Sequence, residues 1–138
     1  VGGNGSAAPI IGVLNGIFFN AADTLKPTFS NFYKATITPA NSEDTTAFVI
    51  DDPFQQYVVA ADTATGVATF LETYDMNSSA GDDTTGKSSS TLAIGTTSAN
   101  DKQFRMLRSA EDPENEDATA VRHSVIVVSN QNSFNGHN

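Results

Sequence analysis

Residues 120–129 (AVRHSVIVVS) form the strongest β-strand signal in the chain. Their second half is rich in Val and Ile, whose branched side chains fit a pleated surface. Weaker runs of the same character occur upstream, separated by turn residues such as Gly, Pro, Asn and Asp. These runs are residues 10–19, 45–51, 55–61, 66–74, 91–94 and 103–107.

Short apolar runs at this spacing, without a convincing amphipathic helix, predict an all-β fold. We expect an antiparallel β-sandwich or barrel of about seven or eight short strands with long polar loops. Composition agrees, because Ser, Thr and Asn make up 41 of the 138 residues. The helix formers Lys, Glu and Leu are scarce by comparison.

The connections between the runs carry their own signals. Residues 20–39 contain Pro27 and Pro39 and are predicted to be a long crossover. The Asp52-Pro53 pair predicts a hairpin or a corner between its flanking runs. Residues 75–90 (DMNSSAGDDTTGKSSS) are predicted to be a polar loop.

The length of 138 residues is that of one domain. Residues 1–8 (VGGNGSAA) are small and uncharged in their side chains, and Pro9 ends the segment. Such a stretch has nothing with which to anchor a core of its own. We therefore expect an extended N-terminal arm over residues 1–9 and a single β-domain over residues 10–138.

The charge balance excludes several function classes. There are 7 Lys and Arg against 16 Asp and Glu, a formal net charge of −9. A protein that neutralises nucleic-acid phosphates needs a basic face, and so does one that binds an anionic membrane. Cys is absent, which excludes thiolate metal sites, disulfides and Cys nucleophiles. We therefore expect neither nucleic acid nor membrane as a partner.

Residues 81–88 (GDDTTGKS) match the phosphate-binding pattern G-x-x-x-x-G-K-[ST] letter for letter. That chemistry needs a buried strand before the loop and a helix after it. The preceding residues are polar and the following ones favour β structure, while Asp82 and Asp83 would repel a polyphosphate. We interpret the segment as a solvated loop, and Lys87→Ala with an ATP-binding assay tests that interpretation.

Other candidate sites are weaker still. The acidic residues 111–117 (EDPENED) lack the spacing of a calcium loop, so solvated charge is the expectation and a weak structural cation the alternative. Glu72 is an isolated acid in a predicted strand, and His123 has no second ligand nearby. We expect a packed or half-exposed strand residue at His123. The sequence predicts no catalytic residue, no cofactor, no metal and no enzymatic activity.

Aromatic residues cluster around Pro27. Most of them are expected to pack in the core or to pin the crossover to the body. A minority are expected to be exposed anchors for a partner, because aromatic side chains concentrate interface energy. The cluster comprises Phe18, Phe19, Phe29, Phe32 and Tyr33.

The order of these segments resembles the head decoration (cement) proteins of tailed bacteriophages, particularly phages of aquatic bacteria. The resemblance covers most of the chain and begins with the Gly/Asn arm. It continues through residues 9–18 (PIIGVLNGIF), 26–33 (KPTFSNFY), 47–53 (AFVIDDP), 104–108 (FRMLR) and 125–128 (VIVV).

The resemblance implies a β-rich, non-enzymatic structural virion protein on the outer surface of the capsid, assembled in the host cytoplasm. It implies two partners, the major capsid protein and further copies of the chain in a homo-oligomer, with a trimer expected. The candidate contact residues belong to the arm and the aromatic cluster. They are Val1, Gly2, Gly3, Asn4, Gly5, Pro9, Phe29, Phe32 and Tyr33.

A binding module is the alternative function. Carbohydrate-binding or adhesive β-sandwich modules of surface and tail proteins are also rich in Ser, Thr and Asn. Sugar sites usually stack the sugar ring on Trp or Tyr. Trp is absent here, and Tyr33, Tyr57 and Tyr74 are scattered along the chain.

Overall fold

The computed structural model describes residues 10–34, 36–95, 102–115 and 117–130. Within these ranges the secondary structure is almost entirely β, which confirms the predicted all-β class. Two turns of 3-10 helix, Ala40–Ser42 and Val67–Thr69, are the exceptions. The strands described are β1 (Val13–Asn20), β2 (Pro27–Ser30), β3 (Thr46–Ile50), β4 (Gln56–Ala60), β5 (Thr73–Tyr74), β6 (Met76–Asn77), β7 (Thr91–Leu92), β8 (Phe104–Ser109) and β9 (Ser124–Ser129).

The larger sheet has four antiparallel strands in the order β4-β9-β8-β5. Alternation along β9 sets its two faces, because successive side chains of a strand point to opposite sides. Val125 and Val127 are fully buried, whereas Ile126 and Val128 are half-buried on the outer face. The strongest strand signal in the sequence thus lies at the centre of this sheet.

The core lies on the inner face of the four-stranded sheet. Tyr74 of β5 is fully buried there, and its hydroxyl donates to the carbonyl of Thr69 at 3.1 Å. Leu92 of the two-stranded β6-β7 ribbon is also fully buried and covers the sheet. The complete buried cluster is Ile10, Ala61, Tyr74, Leu92, Ile94, Phe104, Met106, Val125 and Val127.

The second sheet has three antiparallel strands in the order β2-β1-β3. Its β2 lies inside the segment predicted to be a crossover, so that prediction is wrong for this part. β2 pairs back onto β1 as a hairpin, with Pro27 at its first position. Pro is tolerated there because the first residue of an edge strand need not donate to the ladder.

A corner joins the two sheets at residues 51–55. β3 belongs to the three-stranded sheet and β4 to the four-stranded one, so the Asp52-Pro53 turn is not a hairpin. The Asp52 carboxylate accepts the Phe54 N–H at 2.9 Å, and the Asp52 carbonyl accepts the Gln55 N–H at 3.2 Å. These two bonds fix the direction in which the chain crosses between sheets.

Two predicted strands are shorter than expected because of left-handed residues. Residues 66–74 alternate like a strand, yet only Thr73–Tyr74 pair, after Leu71 adopts φ = 66°. In residues 120–129 the strand begins only at Ser124, after Arg122 adopts φ = 66°. A left-handed residue interrupts regular extended pairing, and residues 67–69 already form a 3-10 turn, so each strand begins after its left-handed residue.

Candidate protein-binding surface

Three phenylalanines share one face of the three-stranded sheet. Phe18 of β1 lies opposite Phe29 of β2, and Phe48 of β3 lies opposite Gly16 of β1. Gly16 and Phe18 are two residues apart and therefore point to the same side. We call the surface formed by Phe18, Phe29 and Phe48 the aromatic face.

Gly16 allows the aromatic face to close over β1. A Cβ at this position would lie 2.5 Å from Cζ of Phe29, so the Phe29 ring occupies the space of the missing side chain. The Phe29 and Phe48 ring centroids are 6.1 Å apart, with their planes inclined at 47°. The two rings from the outer strands thus meet above the central strand and form one continuous apolar surface.

The aromatic face is open to solvent. Phe18, Phe29 and Phe48 are 39%, 61% and 47% exposed. None of the three strands that carry them contains a charged residue. A scattered exposed apolar residue is ordinary, but a contiguous uncharged apolar patch marks an interaction surface.

The structure separates the aromatic candidates of the sequence. Phe29 belongs to the aromatic face, and Tyr33 is 57% exposed in the segment that follows β2. Phe32 is half-buried, and its ring lies against Gly86, where a Cβ would come within 2.4 Å. Lys34 Nζ lies 5.5 Å from the centroid of the same ring. Phe32 is therefore a packing residue rather than a free contact residue.

The expectation that most of the aromatic cluster packs in the core or pins the crossover holds for Phe19, which is buried, and for Phe29 and Phe32, whose rings lie against Gly16 and Gly86. Of its five members, only Phe19 is buried. Phe18 and Phe48 complete the aromatic face. Phe18 belongs to the cluster in which the sequence predicts exposed anchors, whereas Phe48 does not. Strand alternation predicts that Phe18 and Gly16 lie on the same face of β1. The pairing of β1 with β3, which brings Phe48 to that face, cannot be predicted from alternation. The candidates Val1, Gly2, Gly3, Asn4, Gly5 and Pro9 lie outside the described residues.

The loop that matches the phosphate-binding pattern joins two antiparallel strands, β6 and β7. The Asp82 carboxylate accepts the Thr84 N–H at 2.7 Å and the Thr85 N–H at 3.3 Å. A phosphate site needs such N–H groups free and a helix behind them. Here the chain's own carboxylate occupies the donors and β7 follows. The geometry is that of a closed turn.

We expect Asp82→Ala to open this turn. The Thr84 N–H, and after it the two bonds from Thr85, hold the pKa of the Asp82 carboxyl below its ordinary value of 3.8. A lowered folded-state pKa stabilises the turn above the unfolded value, and this contribution is lost as pH falls through the folded value.

At pH 7 the amides of Thr84 and Thr85 should exchange roughly five- to tenfold faster in Asp82→Ala, as expected for one lost hydrogen bond. Asp83→Ala is the matched control, and its rates should equal those of the native chain. The native rates should approach those of Asp82→Ala as the pH falls through the lowered pKa of Asp82. Unchanged exchange in Asp82→Ala would contradict this account of the turn.

The other acidic candidates serve local turns. The Asp112 carboxylate accepts the Glu114 N–H at 3.1 Å. The Asp117 carboxylate accepts the Thr119 hydroxyl at 2.6 Å, which is the main cause of its lowered pKa. Within the described ranges, no group of three or more His, Asp or Glu residues is arranged to hold a metal ion.

His123 is completely buried just before β9. Its Nδ1 lies 3.2 Å from the Ala120 carbonyl, which can only accept, so Nδ1 carries the proton and donates. In this tautomer Nε2 accepts from the Thr65 hydroxyl at 2.6 Å. The prediction that His123 is packed is confirmed, but the residue precedes β9 and is not the strand residue that the sequence predicts. Glu72 is exposed and precedes β5 instead of lying within a strand.

Comparison of the chain with protein-family models, with curated proteins and with solved structures finds no significant match. In the ranges that the structure covers, no helix is long and apolar enough to cross a membrane.

Proposed function

We propose that this chain is a structural virion protein that binds the outer surface of a tailed-phage capsid and decorates or stabilises it. The observation that carries the proposal is the solvent-exposed aromatic face of the three-stranded sheet. An active site usually brings several titratable side chains together, whereas the strands of the aromatic face carry no charged residue and present an apolar surface. Its role is adhesion, with the major capsid protein as the partner.

Physical chemistry supports such a role. Aromatic side chains on strands bind with little loss of conformational freedom, because the strands already hold them in place. A capsid repeats the same surface many times, so an oligomer of the chain gains avidity without any new contact. We propose the trimer as that oligomer. Analytical ultracentrifugation of the full chain measures its mass directly.

The carbohydrate-binding alternative uses the same rings differently. A sugar site combines a stacking ring with converging polar groups that fix the orientation of the sugar. The three strands of the aromatic face carry no charged side chain, which favours an apolar protein surface as partner. A glycan array distinguishes the two functions, because the decoration role predicts no bound glycan.

Co-sedimentation with empty heads of the phage that encodes the chain tests the proposal. The full chain should pellet with heads, saturate at a fixed number of copies per particle and remain in solution without them. Failure to bind heads, combined with specific glycan binding, would contradict the decoration role and support the carbohydrate-binding alternative.

Deletion of residues 1–8 tests the arm separately. We expect the occupancy of heads to fall by about tenfold, since an arm that orders on the shell adds a second, linked contact. The measurement is the number of copies bound per head at equal protein concentration. Unchanged occupancy would show that the arm does not contribute to binding, and would leave the proposal for the aromatic face unaffected.

A further inference from the structure

Among the described residues, β3 (Thr46–Ile50) forms the outer edge of the three-stranded sheet and pairs with β1 alone. Four of its five residues are exposed, and Ile50 is half-buried. Phe48 and Val49 point to opposite faces of the sheet, and both are exposed, so both faces of β3 are open to solvent. β3 therefore has the exposure of a strand that lacks a neighbour.

β3 has no protection within its own length. Edge strands are usually guarded by charge, Pro, a bulge or very short length. The opposite edge, β2, begins at Pro27 directly after Lys26. One edge strand of the larger sheet, β5, has only two residues. The other edge strand, β4, leads directly into Ala61, which bridges to Leu92 of β7. The sequence of β3, TAFVI, has no charge, no Pro and no Gly.

Acidic pairs lie on both sides of this strand. Glu43 and Asp44 precede it and Asp51 and Asp52 follow it, separated from it by no more than one residue. Glu43 Oε2 accepts from Nδ2 of Asn20 at 2.8 Å, which holds that carboxylate at the end of β1. Each end of the β3 edge is thus negatively charged.

The acidic pairs determine which strand can join this edge. If two copies paired antiparallel through β3, the Asp51-Asp52 pair of one would face the Glu43-Asp44 pair of the other. Like charges directly opposite each other across a sheet are destabilising. A second copy is therefore disfavoured at this edge, and a strand with basic residues at both ends is favoured by charge complementarity.

We propose that the β3 edge accepts an extended strand of the capsid shell protein, with a short uncharged centre and a Lys or Arg at each end. Main-chain hydrogen bonds to β3 supply the affinity, and alternate side chains of the added strand lie beside Phe48. The basic ends meet the two acidic pairs. This inference depends on the proposed function, since it specifies how the same sheet would bind the shell.

A charge-reversal variant tests the inference against empty heads. Asp44→Lys with Asp51→Lys replaces one acid at each end of β3. Each end of β3 then carries one acid and one lysine and has no net charge. Analytical ultracentrifugation of the variant must therefore show that it does not pair with a second copy. Asp83→Lys with Glu114→Lys is the matched control, since it makes the same charge change at exposed positions outside the three-stranded sheet.

We expect the Asp44→Lys, Asp51→Lys variant to bind heads about tenfold or more weakly, and the control variant to bind like the native chain. Hydrogen exchange of residues 46–50 in the native chain should slow when heads are added, which simple charge attraction would not cause. Equal binding by the two variants, or unprotected β3 amides on bound chains, would overturn the strand addition alone. A native chain that does not bind heads would instead overturn the proposed function.

Discussion

Replacement of Phe29 and Phe48 by Ser is expected to weaken binding to empty heads by at least about 100-fold. Two aromatic anchors of an interface contribute on the order of 2 kcal/mol each, and about 1.4 kcal/mol corresponds to a tenfold change in affinity. The two rings lie within 6.1 Å of each other on the aromatic face, so one partner surface covers both. Co-sedimentation over a range of protein concentrations measures the change.

Folding of this variant must be shown separately. The variant loses the contact between the two rings, worth about 0.5–1.5 kcal/mol, and the buried part of each ring, including the part of Phe29 that covers Gly16. Val58→Ser with Leu71→Ser is the matched control, because both residues are equally open to solvent and lie outside the three-stranded sheet. If the control lost as much binding as the Phe variant, the aromatic face would not be the contact surface.

Replacement of His123 by Leu is expected to lower the free energy of unfolding by about 3 kcal/mol or more. The substitution leaves the Thr65 hydroxyl and the Ala120 carbonyl without their buried partner, and each unsatisfied group costs about 1–3 kcal/mol. A domain of this size has a total stability of about 5–15 kcal/mol, so the loss is a large fraction. Urea denaturation followed by circular dichroism measures it.

A double-mutant cycle separates the hydrogen bond from the packing. Thr65→Val removes the hydroxyl that bonds to Nε2 of His123. The double variant should be less destabilised than the sum of the two single variants, because replacing both partners leaves neither unsatisfied. Strict additivity would mean that the 2.6 Å contact contributes nothing to stability.

The amount of the fold that could be predicted depends on where each strand lies. The central strand β9 was visible because Val125 and Val127 alternate with outer residues in a continuous apolar run. β2 was not visible, because an exposed four-residue edge strand that starts with Pro carries little pattern of its own. The strand predicted over residues 66–74 is interrupted at Leu71, whose left-handed backbone is a tertiary effect that alternation does not reveal.

The candidate site, like the fold, could be predicted only in part from the sequence. Phe29 and Phe32 are three residues apart in a similar local sequence, yet one is exposed and the other lies against Gly86 of a distant loop. Their difference is set by contacts across the fold. The acidic pairs around β3 are evident in the sequence. Their effect on strand pairing can be inferred only from the sheet order, which places β3 at an edge.

An image reconstruction of the head with bound chain, at side-chain resolution, would show whether the aromatic face contacts the shell. We expect density for this chain on the outer shell, with Phe29 and Phe48 against the capsid protein and a shell strand beside β3. Density with the three-stranded sheet facing solvent, or a head surface without the chain at saturating concentration, would contradict it.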